Sequence, residues 1–195
     1  VVGNADWSVA ASVRVHGNMA VFLEMCLAAI AFDDAELVRC QFNGSDLSDA
    51  TFRRARVTQC GFQGANLKRA VFDGACADGA VFVEADAREA SMKGTSLRQA
   101  LFVRADVSGA TFDGSDLYQA NLTDAVCEGA DFTGCDLTYA EFRRSDLRNA
   151  VLSGTRLFRA RFHRVRDEGC MFGDRTLALG DEPELARAED WKPAV

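Results

Sequence analysis

The chain has 195 residues, 48% of them apolar, and a formal net charge of −7. That length makes one or two domains, and the negative balance argues against binding nucleic acid through its phosphates. Two histidines and seven cysteines without a Cys-x-x-Cys spacing leave neither a zinc site nor a disulfide framework, so a reducing, cytoplasmic setting is expected.

In chain order, residues 1–19 read as an N-terminal capping segment, with a partly alternating strand over 8–15. The chain opens on Val1 rather than Met, as a trimmed form or a piece of a longer protein would. Residues 19–32 look at first like the apolar part of a signal peptide. They hold Glu24, lack a basic leader and are too short to span a bilayer, so no membrane partner is expected.

That stretch instead opens a repeat of five. From Phe22 to Phe162 every fifth residue is a centre, over 29 uninterrupted pentads spanning 20–164. The centres are 12 Phe, 11 Leu, Val57, Val107, Ala77, Ala87, Met92 and Cys127. Two residues before each centre stands a small residue, with Met25 and Ile30 as the bulky exceptions. Two inward residues in five mean that the chain turns a corner in every pentad. Glycines cluster two residues after the centre, where the third position of a type II turn needs φ > 0. Phe falls mainly on centres ending in 2 and Leu on those ending in 7. A ten-residue alternation needs an even number of sides, and four sides place Phe on two opposite walls.

Segments such as ADVSG (105–109), SDLYQ (115–119) and ANLTD (120–124) resemble the A(D/N)Lxx motif of the pentapeptide repeat family. The resemblance implies an all-β fold, a right-handed quadrilateral parallel β-helix of about seven coils. Residues twenty apart then stack, and the buried Phe walls are the main source of stability. A looser layer is expected around Ala77, Ala87 and Met92, and Cys40 and Cys60 read as buried substitutes for alanine. Residues 165–195 read as a last partial coil, with Cys170 and Phe172 resuming the phase, then a short helical cap over 181–191. Asp181 is its expected N-cap, Pro183 suits its first turn, and Leu185 and Trp191 are expected on the last coil.

His16 and His163 lie at opposite ends of the repeat. No nucleophile–His–Asp set, phosphate loop or metal site is legible, and a loop-free rod offers no cleft. No enzyme and no cofactor is expected. The surface says more. Val81, Val83, Leu101 and Val103 should share one outer face as an apolar interface. Asp106, Asp113, Asp116, Asp124, Glu128, Asp131, Asp136 and Glu141 form an acidic belt containing no base. Arg143, Arg144, Arg148, Arg156, Arg159, Arg161, Arg164 and Arg166 form a basic end against Asp146. Belt and end together read as an electrostatic docking face.

The expected role is a non-catalytic protein-binding scaffold whose partner is a protein, with a second copy of the chain as one candidate. The family resemblance implies an alternative, a DNA mimic acting on a type II topoisomerase such as DNA gyrase. A further alternative is a bacterial secretion-associated or effector module.

Overall fold

A computed structural model describes residues 16–190 of the chain. The backbone is a parallel β-helix in which each residue preceding a centre pairs with the residue twenty positions on. Val21 pairs with Gln41, Val81 with Leu101, and Asp146 with Arg166 in the same register. Most rungs are single bridges. Two are longer: β1 (His16–Asn18) pairs with β2 (Glu36–Val38), and β3 (Val151–Leu152) with β4 (Met171–Phe172). Four pentads thus make one circuit, and the four walls are named below by their first centres: Phe22, Leu27, Phe32 and Leu37.

The local cause is a corner in each pentad. The small residue's N–H donates to the carbonyl of the preceding centre, as Ala35 does to Phe32 at 3.1 Å. Every fifth residue from Met19 to Gly169 has φ between +52° and +73°. Glycine was the expected occupant, yet only 11 of these residues are glycine. A left-handed L-residue costs about 1–2 kcal/mol. The cost is offset where corner N–H groups are tied to the next coil, as that of Arg54 is to Asp73 O (3.0 Å). Exposed corner pairs such as Asp34–Arg54 (2.7 Å) and Glu84–Arg104 (2.6 Å) add a little to the offset.

Hydrogen-bond accounting explains the acid before the centre. Four of the five N–H groups in a pentad bond to backbone carbonyls of the same or adjoining coils. The residue after the centre is left over. Its N–H donates to the Asp or Asn two residues earlier, as Ser108 does to Asp106 (3.0 Å) and Thr138 to Asp136 (3.0 Å). Elsewhere it donates to an acid or amide one coil below, as Lys93 does to Asp73 (3.1 Å). The Asp/Asn slot therefore satisfies the one backbone donor that the coil strands.

Inside, the centres close into ladders. Phe22, Phe42, Phe62, Phe82 and Phe102 stack with centroids 4.6–5.2 Å apart, and Phe32, Phe52 and Phe72 do so opposite them at 4.6–4.9 Å. Rings of the two walls meet edge to face, as Phe62 and Phe72 do at 5.7 Å. Met92 interrupts the second wall and Leu122 the first. Ala77, Ala87 and Met92 are fully buried, and the twenty-residue register passes through them unchanged.

The small slots admit Ser, Thr and Cys because a hydroxyl or thiol there reaches the carbonyl of a centre in the coil below. Thr95 Oγ1 donates to Phe72 O (2.7 Å), Cys60 Sγ to Leu37 O (2.7 Å) and Cys135 Sγ to Phe112 O (2.9 Å). Burial pushes the Cys60 and Cys135 thiols up to about 12, and all seven cysteines are free.

The coil geometry runs on past residue 164. Cys170 and Phe172 resume the phase as expected, with Met171 paired to Val151 in register. The register then slips: Arg161 pairs with Leu179, eighteen residues on, because the stretch 173–178 is two residues short of a side. Helix α1 spans Pro183–Asp190. Asp181 does not cap it. Its carboxylate accepts the Arg164 N–H (2.8 Å), while the Glu182 N–H donates to Nδ1 of fully buried His163 (3.0 Å). The Arg164 guanidinium reaches Ala186 O (3.0 Å) and the Asp190 carboxylate. Leu185 is half-buried. The strand expected over 8–15 and Trp191 lie outside the described residues.

Candidate functional site

With the inward slots filled, any functional site of this coil lies on its outer walls. The apolar quartet assembles on the Phe22 wall. Val81 and Leu101 are bridged partners, and Val83 and Val103 stand in the neighbouring column one coil apart. Leu101 is 37% exposed and the three valines are half-buried. Gly61 lies below the pair and Asn121 above it. The Glu84–Arg104 ion pair (2.6 Å) borders the patch at its corner.

The acidic belt and the basic end are brought together differently from their order in sequence. Residues twenty apart stack, so the belt's acids lie beside the arginines of the next coil. Asp124 meets Arg144 (2.7 Å), Glu128 meets Arg148 (3.0 Å), Asp136 meets Arg156 (3.1 Å) and Glu141 meets Arg161 (3.6 Å). Arg143 also approaches Glu141 (3.7 Å), and Arg166 reaches Asp146 (3.2 Å). Arg164 turns to Asp190 in α1. At the lower edge, Asp116 meets Arg98 (2.8 Å) and Asp106 meets Arg88 (3.7 Å). The Arg144 contact holds the Asp124 carboxyl below its ordinary range, and the Arg148 contact does the same for Asp146. Asp113 and Asp131 form no ion pair among the described residues. These are largely exposed pairs worth little each, and they neutralise one another across the coil boundary. A block of one sign in sequence becomes an interleaved surface.

A second cluster escaped the sequence reading. On the Leu37 wall, Tyr118 meets Tyr139 edge to face at 5.8 Å, and Tyr139 meets Phe158 at 5.6 Å. The Arg98 guanidinium lies 4.4 Å over Tyr118, and Arg159 lies 5.8 Å from the Phe158 centroid. The Gln99 and Gln119 amides bond at 2.9 Å beside the rings. Leu177, 62% exposed, follows Phe158 one rung on, because the Arg159 N–H donates to its carbonyl (2.8 Å). The signal was available in the sequence: these rings stand outside the centre phase, where an inward role is impossible.

Among the described residues no group of His, Cys, Asp and Glu is placed to hold a metal ion, and no helix is long and apolar enough to cross a membrane.

Comparison with solved structures returns pentapeptide repeat proteins. HetL, involved in heterocyst differentiation regulation in the cyanobacterium Nostoc, is 20% identical over 85% of this chain and 87% of that one, with a TM-score of 0.39. QnrB1, a plasmid-mediated fluoroquinolone resistance protein, is in one trypsin-treated form 16% identical over 88% and 94%, with a TM-score of 0.44. A protein of the Arabidopsis thaliana thylakoid lumen is 27% identical over 59% and 66%, with a TM-score of 0.34. Among curated proteins nothing matches. The family model for pentapeptide repeats matches residues 26–64, 65–102, 100–138 and 125–164. With that match across most of its length, and with the parallel twenty-residue register, the chain belongs to the pentapeptide repeat family, whose fold is a right-handed β-helix.

Proposed function

We propose that the protein is a non-catalytic scaffold that binds a protein partner along its outer walls. The rod holds about seven coils and is roughly 35 Å long at ~4.8 Å per rung, with α1 closing its C-terminal end. The observation that carries the reading is the aliphatic quartet Val81, Val83, Leu101 and Val103. Outward slots elsewhere on the walls are mostly polar, whereas here four aliphatic side chains adjoin, with Leu101 37% exposed. Contiguous exposed apolar surface of this kind marks interfaces.

The topoisomerase reading requires a continuous negative stripe. Along one column of the Phe32 wall the signs alternate instead, through Asp33, Arg53, Asp73, Lys93 and Asp113, and the belt acids are matched by the arginines above them. This supports the scaffold over a mimic of DNA. The test pairs two measurements. A partner captured from the native host should be retained by the wild type and lost by Leu101→Asp. In a gyrase supercoiling assay, the protein at micromolar concentration should have no effect. Inhibition or protection of gyrase there, undiminished by Leu101→Asp, would overturn the proposal.

A further inference from the structure

We infer that the aromatic stripe on the Leu37 wall is the interface of an antiparallel homodimer. Three observations converge on it. First, the aromatic rings standing outside the centre phase, histidines aside, are among the described residues just Tyr118, Tyr139 and Phe158, and Tyr139 touches both of the others. Tyr139 is 40% and Phe158 43% exposed. Rings placed outside add nothing to a core that the centre slots already fill, and clustered Tyr with Arg is the composition of binding hot spots.

Second, the wall that carries the stripe is regular, with the rung sequence Ser96–Asp116–Asp136–Arg156 in the column before the centres. Two such walls can lie face to face without loops to move aside. Third, the charges choose the orientation. The Tyr118 rung carries Asp116, the Phe158 rung carries Arg156 and Arg159, and Tyr139 lies on the rung between them. Arg156 is 78% exposed at its side chain, and Arg159 forms no ion pair among the described residues.

A two-fold axis running across the wall at the Tyr139 rung reverses the rungs and keeps the columns. It sets Asp116 against Arg156 of the second copy in both halves, Tyr118 against Phe158, Gln119 against Arg159, and Tyr139 against its own counterpart. Asp136 also meets its counterpart there, each neutralised by the Arg156 beside it (3.1 Å). Such a contact is isologous and closes at two subunits. The parallel alternative keeps the rungs and reverses the columns. It would set Arg156 against Arg159 in both halves, which like-charge repulsion disfavours. The stripe and the Leu101 patch lie on different walls, so self-association and partner binding are separable.

The test is the mass of the full chain by sedimentation or light scattering from about 1 to 100 μM, the range for a modest interface. A species of twice 21.2 kDa is expected. Phe158→Glu should raise the dissociation constant at least about 30-fold, with an unchanged far-ultraviolet circular dichroism spectrum certifying the fold. Asp116→Arg should weaken the dimer about tenfold or more, and adding Arg156→Asp should recover most of that loss. Leu101→Asp should leave the dimer intact. A monomer at the highest concentration overturns the inference. So does a dimer that Phe158→Glu spares, that Leu101→Asp abolishes, or that the charge exchange fails to rescue.

Discussion

The protein holds two sets of stacked aromatic rings, one inside and one outside, and they differ in spacing before they differ in anything else. The inner ladders repeat at twenty residues, with ring planes 4–12° apart. The outer stripe is spaced 21 and 19 residues, Tyr118 to Tyr139 to Phe158, with planes 81–85° apart. Identical stacking in successive coils is what the register imposes on a side chain with no other freedom. The stripe lies across columns, and its rings adjust to one another at the surface. Phase therefore separates rings that hold the coil together from rings available to another molecule.

The sharpest way to break that comparison is to delete one ring from each set. Phe102→Ala should cost about 3–5 kcal/mol, read by denaturant unfolding, because the ring is fully buried between Phe82 and Leu122. Equal losses from the inner and outer deletions would erase the distinction. Filling an inward slot probes the same logic from the other side. Ala100→Leu places extra carbons where the side chain is fully buried, and should cost about 1–3 kcal/mol in the same measurement.

At the corners, Gly114→Ala should cost about 1 kcal/mol, since φ is +68° there while nothing lies within 4 Å of the added methyl group. A loss far above this would show that corner glycines also serve packing.

Asp86 sharpens the outer-wall side. Hydrogen bonds from Arg88 and then Lys68 pull its carboxyl down to about 2. A folded value below the unfolded one, near ~3.9, gives stability that is present above about pH 4 and lost as pH falls toward 2. Asp86→Asn should accordingly lose less melting temperature than the wild type between about pH 5 and pH 2. The difference is small, because a third of the side chain faces water. Phe158→Glu should change the monomer's stability by no more than about 1 kcal/mol, the worth of its exposed edge-to-face contact with Tyr139, in contrast to Phe102→Ala.

Much of this architecture was legible from side-chain size alone. Phe22 through Phe162 declared a period, and a small residue two positions earlier declared a corner. The occupancy of the corners was harder to read. Twenty non-glycine residues sit there at positive φ, because backbone bonds to the next coil, such as Asp49 N–H to Lys68 O (2.9 Å), hold a conformation that local preference disfavours. Charges taken as runs along the chain misplace the surface, because residues twenty apart stack. Asp124 and Arg144 are twenty positions apart, so the period that predicted the Phe ladders predicts their pairing too. Asp181 could not be placed from sequence, since its role depends on the chain folding back onto Arg164 after the register slips near residue 173.

Everything rests on a parallel return after twenty residues, which carries the Phe82 N–H to the Leu101 carbonyl at 2.7 Å. Scalar coupling across that hydrogen bond, measured by nuclear magnetic resonance between the Phe82 amide nitrogen and the Leu101 carbonyl carbon, tests it directly. A resolved coupling there, with matching couplings from Phe62 to Val81 and from Phe102 to Asn121, is the expected result. Couplings joining Phe82 to a residue at any other separation would contradict the fold and, with it, both proposed surfaces.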